Sequence, residues 1–169
     1  YNKFIDSLNA DYKLYFKSLK PAEVISLDSF KNSINDTKHA YIEYILGEDE
    51  GFGMLISKDK VDLFSIPDVD SLRNQISEFK LLLKTPIAKK ADKEKYNNLS
   101  YSIYSRLFPK QIQSPIEDKD LTIIPDDVLL NIPFEALQTS NINDDYLIYK
   151  HQISYANSIT FLNQTKNQQ

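Results

Sequence analysis

His39-Ala40-Tyr41-Ile42-Glu43-Tyr44-Ile45-Leu46 is the stretch whose reading decides the fold. Ala40, Ile42, Tyr44 and Leu46 are apolar at every second position, the period of a strand with one buried face. An acidic turn follows over residues 47–51, through Glu48, Asp49 and Glu50. Residues 52–57 then read as a second strand, Lys58-Asp59-Lys60 as a tight turn and residues 61–66 as a third strand. Connections this short between successive strands imply an antiparallel meander.

Upstream of the strands the period is helical. Phe4, Leu8, Tyr12, Tyr15 and Leu19 fall on one face of a helix over residues 1–20, which Pro21 stops. That face suits either the chain's own core or an upstream helical array. A short helix over residues 26–34 has Ser26 as its cap and Leu27, Phe30 and Ile34 inward. A boundary near residue 36 divides the chain into an N-terminal helical segment, 1–36, and a main unit, 37–169.

Downstream of the meander, Asp68 is placed to cap a helix with Val69, Leu72, Ile76, Phe79 and Leu83 on its inner face. Residues 84–95 read as a polar connector. A further helix turns Tyr96, Leu99, Ile103 and Leu107 inward and ends at Pro109, before a loop over residues 111–120. Residues 121–124 are an apolar run consistent with a buried strand, and Pro125-Asp126-Asp127 is a turn. Residues 133–137 fit one helical turn, 140–145 a polar loop and 151–156 a last strand. Ser158 is placed to cap a final helix holding Ile159 and Leu162. The architecture expected is α/β: a mixed sheet containing a three-stranded antiparallel meander, covered by helices.

Bulk composition narrows the function classes. The chain has 169 residues, 41% of them hydrophobic and 26% charged, which suits one globular domain. Its net charge of −4 supplies no general attraction for phosphate backbones or anionic lipid, so neither nucleic acid nor membrane is an expected partner. Cys is absent, which removes disulfides, thiolate zinc sites and any thiol nucleophile within these residues. No apolar run is long enough to span a bilayer, and the first residues lack the apolar core of an export signal, so the expected location is cytoplasmic. N-x-S/T sequons at Asn35, Asn98 and Asn163 are read as chance occurrences in that setting. The chain starts at Tyr1 and ends on polar Lys166-Asn167-Gln168-Gln169, as a fragment of a longer protein would.

No complete set of catalytic groups emerges. A hydrolytic nucleophile needs a base within hydrogen-bond reach, and the two imidazoles, His39 and His151, lie at strand edges without a motif around them. The acidic pairs Asp126-Asp127 and Asp144-Asp145 lack the alternating ligand spacing of a calcium loop. Gly51-Phe52-Gly53 opens a strand with no helix after it, so it does not cradle phosphate. Lys84, Lys89, Lys90, Lys93 and Lys95 beside Tyr96 read as a solvated connector rather than a single-strand-binding patch. The expected catalytic, cofactor-binding and metal-ligating sets are therefore empty.

Two stretches are more specific. One is Tyr41-Ile42-Glu43-Tyr44-Ile45-Leu46-Gly47-Glu48 with Gly53-Met54-Leu55-Ile56-Ser57-Lys58-Asp59-Lys60-Val61. The other is Leu121-Thr122-Ile123-Ile124-Pro125-Asp126-Asp127-Val128-Leu129-Leu130-Asn131-Ile132-Pro133-Phe134-Glu135-Ala136-Leu137, continued by Ile153-Ser154-Tyr155-Ala156-Asn157-Ser158. Together they resemble the amino-terminal part of the CHAT domain, a caspase-like bacterial cysteine peptidase family often fused to tetratricopeptide repeats. Asp127 departs from the glycine usual in the family after Pro-Asp, and Asp tolerates a left-handed backbone better than most residues.

The resemblance implies the non-catalytic half of a caspase-like fold. The family's catalytic His and Cys lie beyond the Ile153–Ser158 motif, so no catalytic residue is carried over. It implies a downstream peptidase half as protein partner, a first helix that docks on upstream repeats, and a scaffolding role. Pro125, Asp126, Pro133, Phe134, Glu135, Leu137, Ser154, Tyr155 and Ser158 carry the match, with structural roles. Phe134 and Leu137 are expected in the core and Glu135 as an acceptor for nearby backbone donors. A stand-alone protein-interaction module, docking through a sheet edge or the first helix, is the alternative.

Overall fold

The computed structural model describes residues 24–142 and 145–166, without the side chains of 164–166. The helix expected over residues 1–20 lies outside the described residues. The elements are α1 (Leu27–Ser33), β1 (His39–Leu46), β2 (Gly51–Ser57), β3 (Val61–Ile66), α2 (Val69–Leu83), α3 (Lys90–Leu107), α4 (Lys110–Ile116), β4 (Asp120–Ile124), β5 (Ile153–Tyr155) and α5 (Ile159–Lys166). Three short 3-10 turns, Asp127–Asn131, Phe134–Ala136 and Leu147–Tyr149, lie between β4 and β5.

The five strands form one sheet in the order β3-β2-β1-β4-β5. The β3-β2-β1 part is the antiparallel meander, while β4 pairs parallel to β1 and β5 parallel to β4. The fold is therefore α/β with a mixed sheet, as the alternating strand and helix periods require.

One face of the sheet carries the larger core. Ala40, Ile42, Tyr44 and Leu46 of β1 meet Leu55, Phe64, Ile66, Leu121 and Ile123 of the neighbouring strands. Val69, Leu72, Ile76 and Phe79 of α2, with Tyr96, Ile103, Tyr104 and Leu107 of α3 and Ile112 and Ile116 of α4, close over them. Gly53 is required here. It pairs with Phe64, whose ring lies over it, and a Cβ on residue 53 would collide with three ring carbons.

The opposite face has a smaller core of Phe30, Ile34, Tyr41, Ile56, Ile124 and Ile159, contributed by the sheet, α1 and α5. Phe30 meets Tyr41 edge to face at 5.0 Å. Both faces obey the two-residue period: even-numbered residues of β1 point to the first core, and Tyr41 points to the second.

Several expectations are corrected. Leu27 and Leu83 are 39% exposed rather than inward; Ile25 and Leu82 pack against the two cores in their stead. Residues 90–95 are the first turns of α3, not a connector. They bury no apolar stripe and are held by polar contacts: Lys89 N donates to Asp92 Oδ2 at 3.2 Å, Lys90 pairs with Glu94 at 3.7 Å and Lys95 with Glu78 at 2.6 Å. Residues 110–116 form α4 in place of a loop, because Ile112 and Ile116, one turn apart, both fill the core. Pro115 is tolerated in its last turn. The final strand is Ile153–Tyr155, shorter than 151–156.

Candidate functional site

The carboxyl ends of the parallel strands are where open α/β sheets place their functional loops. Here that edge is built by the turn after β4 and the segment 133–137. Asp126 Oδ2 accepts from Leu46 N at 2.9 Å, tying the turn to the end of β1. Asp127 has a left-handed backbone, φ 49°, the conformation its place after Pro125-Asp126 demanded. Its Oδ2 accepts from Arg73 Nε at 2.9 Å, and the same guanidinium reaches Gly47 O at 2.9 Å and Glu48 O at 3.1 Å. Arg73 thus clasps the β1–β2 turn to the β4 turn. The carboxylates of Asp127 and Asp70 beside it hold the guanidinium more firmly protonated.

Pro133 precedes one 3-10 turn, Phe134–Ala136. Phe134 is fully buried, stacked on Tyr44 at 5.8 Å and edge-on to Phe108 at 6.3 Å and Tyr155 at 6.2 Å. Leu137 is buried too. Ala136 O accepts from Tyr96 Oη at 2.8 Å and Ser100 Oγ at 3.2 Å, and Gln138 N donates to Ser100 Oγ at 2.8 Å. This segment is therefore held by α3 through its backbone and by the sheet through Phe134.

Tyr155, at the end of β5, joins the two motif stretches. Its Oη accepts from Phe134 N at 2.9 Å and donates to Glu135 Oε2 at 2.6 Å. Glu135 accepts from this phenol, not from backbone donors as expected. Burial, and then the bond to the Glu135 carboxylate, push the Tyr155 hydroxyl well above its ordinary range. Leu130, Asn131, Ile132 and Pro133 join Glu135 and Tyr155 around a shallow cavity of about 380 Å³.

The remaining motif residues act at the other strand positions. Pro125 follows β4 directly. Ser154 Oγ meets Thr122 Oγ1 at 2.9 Å, and Thr122 Oγ1 meets His39 Nε2 at 2.7 Å, a polar ladder across β5, β4 and β1. Thr122 stands between His39 and Ser154 in this ladder. Ser158 caps α5, accepting from Phe161 N at 3.1 Å. His151 Nδ1 is bonded to Lys119 O at 2.8 Å.

A larger cavity, about 730 Å³, opens near the amino ends of β4 and β5 among Tyr104, Lys110, Glu117, Asp118, Lys150 and His151. Among the described residues no three His, Asp or Glu side chains come together as a metal site. No described helix is long and apolar enough to cross a membrane.

Sequence reasoning missed Arg73, Tyr96 and Ser100 as organisers of this edge. Arg73 lies on the outer side of α2 with no pattern to mark it, and Tyr96 reads as one more core aromatic. Apart from the carboxylates that pair with Arg73, their partners at this edge are main-chain atoms, which no side-chain motif reveals.

No curated protein matches the chain. The family model of the CHAT domain matches residues 97–169, a span that runs from α3 through both downstream motif stretches to the end of the chain. Over those residues the chain is similar to the CHAT domain.

Proposed function

We propose that this chain is the non-catalytic half of a caspase-like cysteine peptidase, bracing a peptidase half that follows it in the natural protein. The observation that carries the reading is the pairing of β5 at the sheet's edge with the Tyr155–Glu135–Phe134 contact behind it. A three-residue edge strand is a short boundary for a sheet, and a parallel neighbour would extend it. Tyr155, 45% exposed, ties that boundary to the Phe134–Ala136 turn, so a neighbouring strand would meet a fixed surface rather than a loose one.

Chemistry then belongs to the whole protein: a thiolate attacks the peptide carbonyl and an imidazole transfers the proton. The thiolate is not supplied here, since the chain has no Cys, and the imidazoles of His39 and His151 bond to Thr122 Oγ1 and Lys119 O. What these residues contribute is position. The ladder of His39, Thr122 and Ser154 fixes the register of the parallel strands, and Arg73 fixes the loops at their carboxyl ends. Residues 1–36 serve as the junction to upstream helical repeats, in a cytoplasmic bacterial protein.

Reading the gene past the codon for Gln169 tests this directly. The expected result is a continuous frame carrying His-Gly and then a Cys after an apolar strand. A stop codon there, or a frame lacking both residues, overturns the reading and leaves a stand-alone interaction module.

A further inference from the structure

The second face of the sheet is covered only in part. Pairing across β4, β1, β2 and β3 places Ile124, Glu43, Met54 and Leu63 in one row, and Ile45, Phe52 and Ser65 in the next. The row on the other side, Thr122, Tyr41, Ile56 and Val61, belongs to the end of the face where α1 and α5 pack. Beyond it, Leu63 is 65% exposed, Ile45 61% and Phe52 44%. Three large apolar side chains on adjacent strands are an exposed patch of the kind that marks an interface.

Glu43 stands at the border between this patch and the covered second core. Its neighbours along β1 are Tyr41 and Ile45, its cross-strand neighbours Met54 and Ile124, and its diagonal neighbours Phe52 and Ile56. No cation and no hydrogen-bond donor engages it among the described residues. Burial raises its carboxyl above the ordinary value. A carboxylate ringed by apolar groups is costly without a partner and rewarding with one, because a low local dielectric strengthens an ion pair that completes it.

From this arrangement we infer that the face formed by Ile45, Phe52 and Leu63, with Glu43 at its border, docks an amphipathic helix of another polypeptide, one that carries a Lys or Arg within reach of Glu43 beside its apolar stripe. Three strands about 4.8 Å apart present a strip roughly 10 Å wide, the diameter of one helix with its side chains. The apolar stripe covers Ile45, Phe52 and Leu63, and the single cation answers Glu43. This goes beyond the proposed scaffolding of a peptidase half, and stands whether or not such a half follows.

The test uses the full 169-residue chain. The probe is a labelled synthetic helix of about 18 residues, long enough to span the face. It carries a leucine stripe with one Lys beside it and is compared with a version bearing Gln there. Fluorescence anisotropy is expected to give saturable binding of the Lys helix, weaker by about tenfold for either the Gln helix or the Glu43→Gln chain, with no further loss when both changes are combined. The exposed change Leu63→Ser leaves the fold intact and should also weaken binding. A Glu43→Lys chain should prefer a helix with Glu in place of that Lys. Equal affinity for the Lys and Gln helices, or no saturable binding, overturns the proposal. So does sedimentation showing that the chain covers this face by dimerising, with Leu63→Ser restoring the monomer.

Discussion

At the scale of single residues, Phe134 and Tyr155 divide the work of holding the carboxyl edge of the sheet. Phe134 supplies volume: it is fully buried among Tyr44, Phe108 and Tyr155. Phe134→Ala should therefore lower stability by about 3–5 kcal/mol, the usual cost of removing a core aromatic. Tyr155 supplies polar closure. Tyr155→Phe keeps the ring but leaves Phe134 N–H without its acceptor and Glu135 without its donor, at a cost of about 1–3 kcal/mol. Urea denaturation of the two variants separates the roles: a Tyr155→Phe loss as large as that of Phe134→Ala contradicts the division. That Phe134 would fill the core was legible in the run Pro133-Phe134-Glu135-Ala136-Leu137. The partner of Glu135 was not. It lies twenty residues along the chain, and only the parallel pairing of β5 with β4 brings it within reach.

At the scale of elements, the meander was the most legible part of the molecule. The alternation of residues 39–46 and the short turns after them give strands whose bounds in β1 and β3 agree with the structure. Elements stabilised by polar contacts or by two isolated apolar residues were not legible. The first turns of α3 rest on ion pairs, and the apolar packing of α4 on Ile112 and Ile116. One requirement of the β2–β3 pair is visible only in three dimensions. Gly53 is small because the Phe64 ring covers it, and Phe64 in turn meets Tyr44 edge to face at 6.3 Å. Gly53→Ala should accordingly destabilise the protein by about 1–3 kcal/mol through overpacking, although alanine suits a strand at least as well as glycine. A thermal melt checks this, and a midpoint equal to or above that of the unaltered protein contradicts the close approach.

At the scale of the whole molecule, the tyrosines couple stability to alkaline pH. Burial first, and then neighbouring charge, push the Tyr96 and Tyr104 hydroxyls from 10.0 up to about 12. Burial drives Tyr44 higher as well. The folded chain thus keeps phenolic protons that the unfolded chain has already released. The associated stability is complete below pH 10, the unfolded value, and is lost as pH rises towards 12. The urea midpoint should be flat below that window and fall through it, less steeply in Tyr104→Phe. A midpoint unchanged up to pH 12 contradicts the burial of these phenols.

The same scale bears on the proposed function, in which this chain positions a peptidase without performing its chemistry. The most direct measurement compares thiol-dependent peptide hydrolysis by the full gene product with that of the 169-residue chain. Hydrolysis by the full product, abolished by thiol alkylation, is expected, with none by the chain alone. Hydrolysis by the chain itself, or a full product with no alkylation-sensitive activity, would contradict it.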